Sequence, residues 1–107
     1  MKKKNEMTQE EIEISRIRYP TGNEVFGIVE ERLPGDKMRI KCSDGKTRIC
    51  RIPGKIRKRV WIKVGDVVLV QPWKVMTDKR GDIVFRYTQT QINWLKRNGY
   101  VKDELLI

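Results

Sequence analysis

The chain has 107 residues, of which 38% are apolar and 36% are charged, and its formal net charge is +10. This length provides one compact domain, and the composition predicts a modest core under a heavily ionised surface. No apolar run is long enough to cross a bilayer, and no apolar stretch follows the basic N-terminus as in a signal peptide. We therefore expect a cytoplasmic protein that has no membrane partner.

The first 23 residues predict an arm whose secondary structure the sequence leaves open. Thr8 and Glu11 have the spacing of a helix capping box, but the alternation in EIEISRIR fits a strand equally well. Pro20 and Gly22 interrupt the chain before the first strand. We expect a flexible N-terminal arm at residues 1–23, a barrel at 24–88, and a C-terminal helix with a short tail at 89–107.

Three short strands follow the arm. EVFGIVEERL predicts the first, in which Gly27 permits a close approach of backbones. In KMRIKC apolar residues alternate with cations, so one face is buried and the other is cationic. The turn SDGK contains an Asp-Gly pair, so KTRICRI is expected to return antiparallel. The following cations are then predicted to point outward on or near one surface: Lys41, Lys46, Arg48 and Arg51.

Two more strands and a helix complete the pattern. VVLVQPW is an uninterrupted apolar run, which indicates a strand buried on both faces. IVFRYT predicts a fifth strand with Ile83, Phe85 and Tyr87 on one face. TQTQINWLKRNG has apolar residues at helical spacing and Gly99 just beyond its end. The fold class is therefore mainly β, a five-stranded oligonucleotide-binding (OB-fold) barrel with a C-terminal helix, although five strands also fit other small barrels.

The positive charge is concentrated in one part of the chain. Residues 37–63 contain eleven Lys or Arg and one acid, Asp44, whereas the rest carries thirteen charges of each sign. Like charges this close repel one another in the folded state, so a polyanionic partner explains the concentration. Binding to a membrane surface would need an amphipathic helix, but this window is strand-like and contains Pro53 and Gly54. We therefore expect RNA or DNA as the partner.

The sequence offers little for catalysis or metal binding. It contains no histidine, which is the commonest acid-base group and metal ligand. The spacing of Cys42 and Cys50 is not that of a paired-thiolate metal site, and there is no phosphate-binding glycine loop. We predict that the protein is not an enzyme, needs no cofactor or metal, and keeps both cysteines reduced.

The connection GKIRKRVWIKVGD combines cations with a tryptophan. The cations fit contacts with phosphates, and Trp61 either stacks on an unpaired base or packs in the core. Its apolar neighbours, Val60 and Ile62, favour a buried or half-buried ring that supports the basic loop. Trp73 and Trp94 also lie in apolar runs and are expected in the core.

Part of the sequence, KCSDGKTRICRIPGKIRKRVWIKVGDVVLV at residues 41–70, resembles the core of archaeal and eukaryotic translation initiation factor 1A, which is related to bacterial initiation factor 1. The resemblance depends on a string of matches in order and extends over about residues 24–99. The matches are Cys42, Asp44-Gly45, Arg48, Cys50, Ile52, Gly54-Lys55, Arg57-Lys58-Arg59, Val60-Trp61-Ile62 and Asp66. The short arm and tail make the archaeal form the better fit.

This resemblance implies a function and a set of contacts. It implies an OB barrel at the aminoacyl site of the small ribosomal subunit, where it contacts ribosomal RNA and assists initiator tRNA placement and start-codon selection with the other initiation factors. We expect a monomer. The implied RNA-binding residues are Lys41, Lys46, Arg48, Arg51, Lys55, Arg57, Lys58, Arg59, Trp61 and Lys63.

Two alternatives stay open at this point. Eukaryotic members carry a long acidic tail, whereas this sequence ends in KDELLI, whose residues Leu105, Leu106 and Ile107 either dock the initiation GTPase or pack loosely. The alternative function is a general single-stranded nucleic-acid binder or RNA chaperone on the same barrel. Such proteins display several aromatic residues on the binding face, which here is almost purely cationic.

Overall fold

The computed structural model describes residues 6–57 and 61–101. In chain order its elements are α1 (Gln9–Ser15), β1 (Val25–Leu33), β2 (Lys37–Cys42), β3 (Thr47–Arg51), α2 (Gly54–Arg57), β4 (Val67–Pro72), β5 (Arg80–Arg86) and α3 (Gln89–Arg97). The strands close into a barrel in the order β1-β2-β3-β5-β4, with β3 parallel to β5. The predicted five-stranded OB barrel with a C-terminal helix is thus confirmed. No helix in this part of the chain is long and apolar enough to cross a membrane.

Strict alternation along β2 supplies one wall of the barrel core. Met38, Ile40 and Cys42 are buried, while Lys37 and Lys41 are exposed on the opposite side of the strand. This is the arrangement that the sequence pattern predicts, because successive side chains of a strand point to opposite faces. The outer side of β2 is therefore cationic.

The apolar run of β4 is buried on both faces, as predicted. Val68 and Val70 point into the barrel, where they join the main core. Val67 and Leu69 point out of the barrel into a second apolar cluster, to which α3 contributes Leu95. The second cluster covers the outer face of β4, so this side of the barrel is closed to a large ligand.

The N-terminal segment also contributes to the second cluster. The Thr8 hydroxyl accepts a hydrogen bond from the Glu11 amide at 3.1 Å, and this capping box begins a helix where the sequence left helix and strand equally open. Beyond α1, Ile17 is buried in the second cluster. The side-chain amide of Gln91 on α3 donates a hydrogen bond to the backbone carbonyl oxygen of Glu13 in α1 at 2.8 Å. The mobility of residues 1–23 and the boundaries at residues 24 and 89 stay predictions.

A β-bulge divides the apolar residues of β5 between the two cores. The pairing of β4 with β5 shifts register between Leu69 and Val70. Ile83 consequently lies in the barrel core, whereas Tyr87 lies in the second cluster and Phe85 packs against it. The prediction that these three side chains share one face is wrong, because the extra residue of a bulge reverses the alternation beyond it.

Two glycines allow the tight geometry of β1 and of the β2–β3 hairpin. A side chain at Gly27 would overlap Ile40 and lie 3.3 Å from the carbonyl oxygen of Lys41, which confirms the predicted close approach of backbones. Gly45 has φ of +87° in the hairpin turn, and the Asp44 carboxylate accepts a hydrogen bond from the amide two residues further on at 3.1 Å. These contacts fix the register between β2 and β3.

Candidate nucleic-acid interface

The outward side chains of β2 and β3 form a cationic face, which we define as Lys37, Arg39, Lys41 and Arg51. Lys37 lies directly opposite Arg51 in the antiparallel pairing, and both are exposed. Arg39 pairs with Glu31 of β1, and Arg51 lies 3.2 Å from Asp82 of β5. Among the described residues no carboxylate pairs with Lys37 or Lys41. These two ammonium groups are therefore available to an anionic partner.

The connection between β3 and β4 adds further cations. Lys55 is exposed on α2, and Lys63 is exposed where its amide donates to the Asp66 carboxylate at 2.8 Å. Neither lysine forms an ion pair with a carboxylate in the described part of the chain. The predicted contacts at Lys58 and Arg59 lie outside the described residues, as does the side chain of Arg57.

Trp61 is exposed, so the prediction of a buried or half-buried ring is wrong. Its side chain is 69% accessible, while Ile62 beside it occupies the core position. The Arg32 guanidinium of β1 lies over the indole ring at 5.0 Å from the centroid, a distance typical of a cation–π contact. Both planar groups are placed where a base can stack on them. Trp73 and Trp94, which were expected in the core, are half-buried.

Trp61 lies beside Arg32 of β1, near the turn between β1 and β2. Arg32 pairs with Met38, whose side chain points into the barrel. Because paired residues of neighbouring strands point to the same face, the Arg32 side chain leaves the sheet on the side opposite to Lys37. The exposed ring and its arginine are therefore at this end of the barrel and not on the outward cationic face.

Arg48 points into the protein, so its predicted outward orientation is wrong. Its side chain is 2% exposed and makes two hydrogen bonds to the Asp44 carboxylate, at 3.1 and 2.8 Å. Its Nε donates to the Thr77 carbonyl oxygen at 2.6 Å. The reason is strand parity, because Thr47 pairs with outward-facing Lys41 and the next residue must face inward. Arg48 therefore ties the β2–β3 hairpin to the β4–β5 loop.

The remaining predicted contact, Lys46, is exposed at the hairpin turn. Its Nζ lies 3.8 Å from an Asp78 carboxylate oxygen, and both side chains are largely in water. A surface pair of this length contributes little to stability, so Lys46 can exchange its partner for a phosphate.

Burial and charge set the protonation of the interior groups. The bidentate Arg48 guanidinium holds the pKa of Asp44 below its ordinary value of 3.8. Burial raises the pKa of the Cys42 thiol, and it raises the pKa of the Cys50 thiol to about 12. Both thiols are buried, free and protonated at neutral pH. In residues 6–57 and 61–101 no group of three His, Cys, Asp or Glu side chains is placed to hold a metal ion.

Some residues of the interface were not among the predicted contacts. Lys37 and Arg39 occupy outward positions of β2, as Lys41 does. The alternation of this strand alone therefore predicts that they belong to the same face as Lys41. Arg80 joins the surface through the parallel pairing of β5 with β3, two strands that are distant in sequence, and no local pattern reveals this contact.

Comparison with known proteins identifies the family. A family model described as translation initiation factor 1A / IF-1 matches residues 13–107. Translation initiation factor 1A of Pyrococcus abyssi is 56% identical over 103 residues, which cover 96% of this chain and 91% of the relative. The protein of the same name from Thermococcus kodakarensis is 49% identical over 107 residues, which cover 98% of this chain and 92% of that relative.

Solved structures agree with this assignment. The solution structure of translation initiation factor IF-1 from the Wolbachia endosymbiont of Brugia malayi is 32% identical, covers 68% of this chain and 86% of that chain, and gives a TM-score of 0.50. The crystal structure of YjeQ from Thermotoga maritima gives a TM-score of 0.51 and covers 61% of this chain and 23% of the YjeQ chain. At 24% sequence identity, this similarity shows the fold alone. The chain therefore belongs to the translation initiation factor 1A / IF-1 family.

Proposed function

We propose that this chain binds the small ribosomal subunit at the aminoacyl (decoding) site through contacts with ribosomal RNA, and promotes initiator tRNA binding and start-codon selection. The observation that carries the proposal is the cationic face, where exposed Lys37 and Lys41 have no carboxylate partner among the described residues. Membership of the initiation factor family supports the ribosome as the target. The protein acts as a cytoplasmic monomer in this proposal.

The proposed mechanism is steric and electrostatic. Initiation factors of this family are not enzymes, in agreement with the sequence analysis. Lysine and arginine neutralise phosphates and release counterions, and shape and phosphate contacts dominate over the reading of base edges in folded RNA. Lys37 lies opposite Arg51 across the strand pair, and Asp82 neutralises only part of this positive charge, so a phosphate between the two cations adds a favourable counter-charge.

The proposed partners extend beyond ribosomal RNA. Initiator tRNA and the other initiation factors follow from the role in start-codon selection. The initiation GTPase is proposed to bind through Leu105, Leu106 and Ile107, which lie outside the described residues.

Co-sedimentation tests the proposal. We expect the chain to sediment with purified small ribosomal subunits, to be displaced when large subunits join, and to bind an unstructured oligonucleotide more weakly at the same salt concentration. Comparable affinities for the subunit and the oligonucleotide would contradict the proposal and support the general single-strand binder.

Replacing Trp61 by alanine separates binding from stability. Because the ring is exposed, we expect Trp61→Ala to leave the melting temperature unchanged and to lower the affinity for small subunits by about 5- to 150-fold, the effect of losing one stacked base. The neighbouring Ile62→Ala is the control, and truncation of this buried side chain is expected to destabilise the fold by about 2–5 kcal/mol. A lower melting temperature for Trp61→Ala would assign the ring to the core instead.

A further inference from the structure

The β2–β3 hairpin and the β4–β5 loop lie against each other at one end of the barrel. They meet there because β3 and β5 are parallel and begin directly after these two segments. The Ile49 amide of β3 donates a hydrogen bond to the Lys79 carbonyl oxygen of the loop at 2.9 Å. The Lys46 ammonium of the hairpin lies 3.8 Å from an Asp78 carboxylate oxygen. Lys46 and Lys79 are both exposed, so the junction presents two cations to the solvent.

Arg48 is the buried link between these two segments. Its side chain is 2% exposed, and it donates two hydrogen bonds to the Asp44 carboxylate of the hairpin. Its Nε donates a third hydrogen bond, at 2.6 Å, to the backbone carbonyl oxygen of Thr77 in the loop. One planar guanidinium therefore holds a side chain of the hairpin and the backbone of the loop at the same time.

Hydrogen bonds within the β4–β5 loop connect the residue that Arg48 holds to the exposed cation. The Thr77 hydroxyl donates to the carbonyl oxygen of Trp73 at 2.7 Å. The Met76 carbonyl oxygen accepts a hydrogen bond from the Lys79 amide at 2.9 Å. Thr77 and Lys79 thus belong to one hydrogen-bonded turn, and a shift of the first residue also displaces the second.

We propose that Arg48 is a positioning residue for RNA binding, which holds the hairpin and the loop in one orientation so that Lys46 and Lys79 both contact phosphates of the bound RNA. This proposal rests on the function proposed above and adds a residue that acts without touching the RNA. A loop that is fixed before the RNA arrives loses less conformational freedom on binding, and this favours the complex.

The burial of the ion pair supports a role in orientation. A buried ion pair is often no more stabilising than apolar side chains of the same volume, because the two charges lose their hydration. The fold therefore does not need a guanidinium at this position for stability alone. Its planar set of donors does satisfy two partners in fixed directions, which apolar side chains cannot do.

Arg48→Lys tests the proposal. Lysine keeps a positive charge beside Asp44, but a single ammonium lacks the planar fork that also reaches the Thr77 carbonyl oxygen. We expect the affinity for small ribosomal subunits to fall by about 5- to 30-fold, which corresponds to the loss of one or two phosphate contacts. The slope of log affinity against log salt concentration is expected to become less negative by about 1 to 2. Lower stability alone would reduce the folded fraction and leave this slope unchanged.

A double-mutant cycle shows whether Arg48 acts through Lys79. In the wild type, Lys79→Gln is expected to lower the affinity about fivefold, because one phosphate contact is lost. In the Arg48→Lys background the same change is expected to cost less than about twofold, because the contact is already impaired. Lys63→Gln is the matched control, since Lys63 precedes β4 whereas the loop follows it. Its cost of about fivefold is expected to be equal in both backgrounds.

Two results would overturn the proposal: the same effect of Lys79→Gln in both backgrounds, or an unchanged salt slope in Arg48→Lys. If Arg48→Lys does not fold, the cycle is measured with the double variant Asp44→Asn, Arg48→Gln, which removes the guanidinium and leaves no unpaired charge in the interior. If the cycle is additive while the wild type still sediments with small subunits, the proposed function stands and Arg48 has a structural role only.

Discussion

We expect the triple variant Lys37→Gln, Lys41→Gln, Lys63→Gln to bind small ribosomal subunits about a hundredfold more weakly than the wild type at physiological salt. The reason is that three phosphate contacts are lost, together with the counterions that they release. The three side chains are exposed and have no carboxylate partner in the described structure, so their removal breaks no internal ion pair. The slope of log affinity against log salt concentration is expected to become less negative by about 2 to 3. Affinity measured over a salt series checks both values.

A second triple variant controls for net charge. Arg16→Gln, Lys96→Gln, Arg97→Gln removes the same number of charges from exposed positions, at the C-cap of α1 and in the last turn of α3, on the side of the barrel that carries the second cluster. We expect this variant to change the affinity for small subunits by less than about threefold, because interactions between exposed charges are screened beyond a Debye length of about 8 Å. Equal losses in both triple variants would mean that the ribosome responds to total charge, and Lys37, Lys41 and Lys63 would then have no special role.

Asp44→Asn is expected to lower the free energy of unfolding by about 3 kcal/mol at pH 7, because it leaves the buried Arg48 guanidinium without its counter-charge. This value is at the low end of the range for breaking a buried ion pair, because the Asp44 side chain is 31% exposed and water can partly solvate the Arg48 guanidinium in the variant. Asparagine keeps the oxygen that accepts the backbone hydrogen bond of the turn, so the hairpin itself is preserved. Urea denaturation of the two proteins measures the difference.

The effect of Asp44→Asn depends on pH in a defined direction. Arg48 lowers the pKa of Asp44 in the folded state, so the ionised carboxylate stabilises the fold above its ordinary pKa of 3.8, and this contribution is lost as the pH falls through the lowered folded-state value. The stability difference between wild type and variant is therefore expected to shrink in acid. Asp78→Asn is the control, because Asp78 is 68% exposed and forms only a 3.8 Å pair, and we expect an effect within about 0.5 kcal/mol. A constant difference from pH 7 to pH 3 would contradict the ionic role of Asp44.

Local patterns predicted most of the barrel. The alternation of β2, the Asp44-Gly45 turn and the continuous apolar run of β4 each have a period or a turn residue that a single segment displays, and all three are confirmed. The alternation of β3 predicts that Arg48 faces inward with Cys50, whereas the charge of Arg48 alone predicts an outward side chain. A buried arginine is rare, and here it is stabilised by a carboxylate only four residues away.

Long-range pairing determined what local patterns did not predict. The bulge between β4 and β5 depends on which residues face each other across the barrel, so the sequence of β5 alone placed Phe85 with Ile83. Trp61 was expected inside because of its apolar neighbours, but Ile62 occupies the core position and the Trp61 ring is exposed. Arg80 lies beside Ile49 because β3 and β5 pair in parallel, a contact between segments about thirty residues apart.

The opposition of Lys37 and Arg51 across β2 and β3 has a consequence for the evolution of the protein. An acidic residue at position 37 would replace repulsion by an attractive cross-strand pair and so strengthen the isolated barrel. The same change would place a negative charge where the proposed partner presents phosphates. Under the proposed function, binding and stability therefore favour opposite charges at position 37, and a screen for thermostable variants is expected to recover acids at this position together with impaired translation initiation.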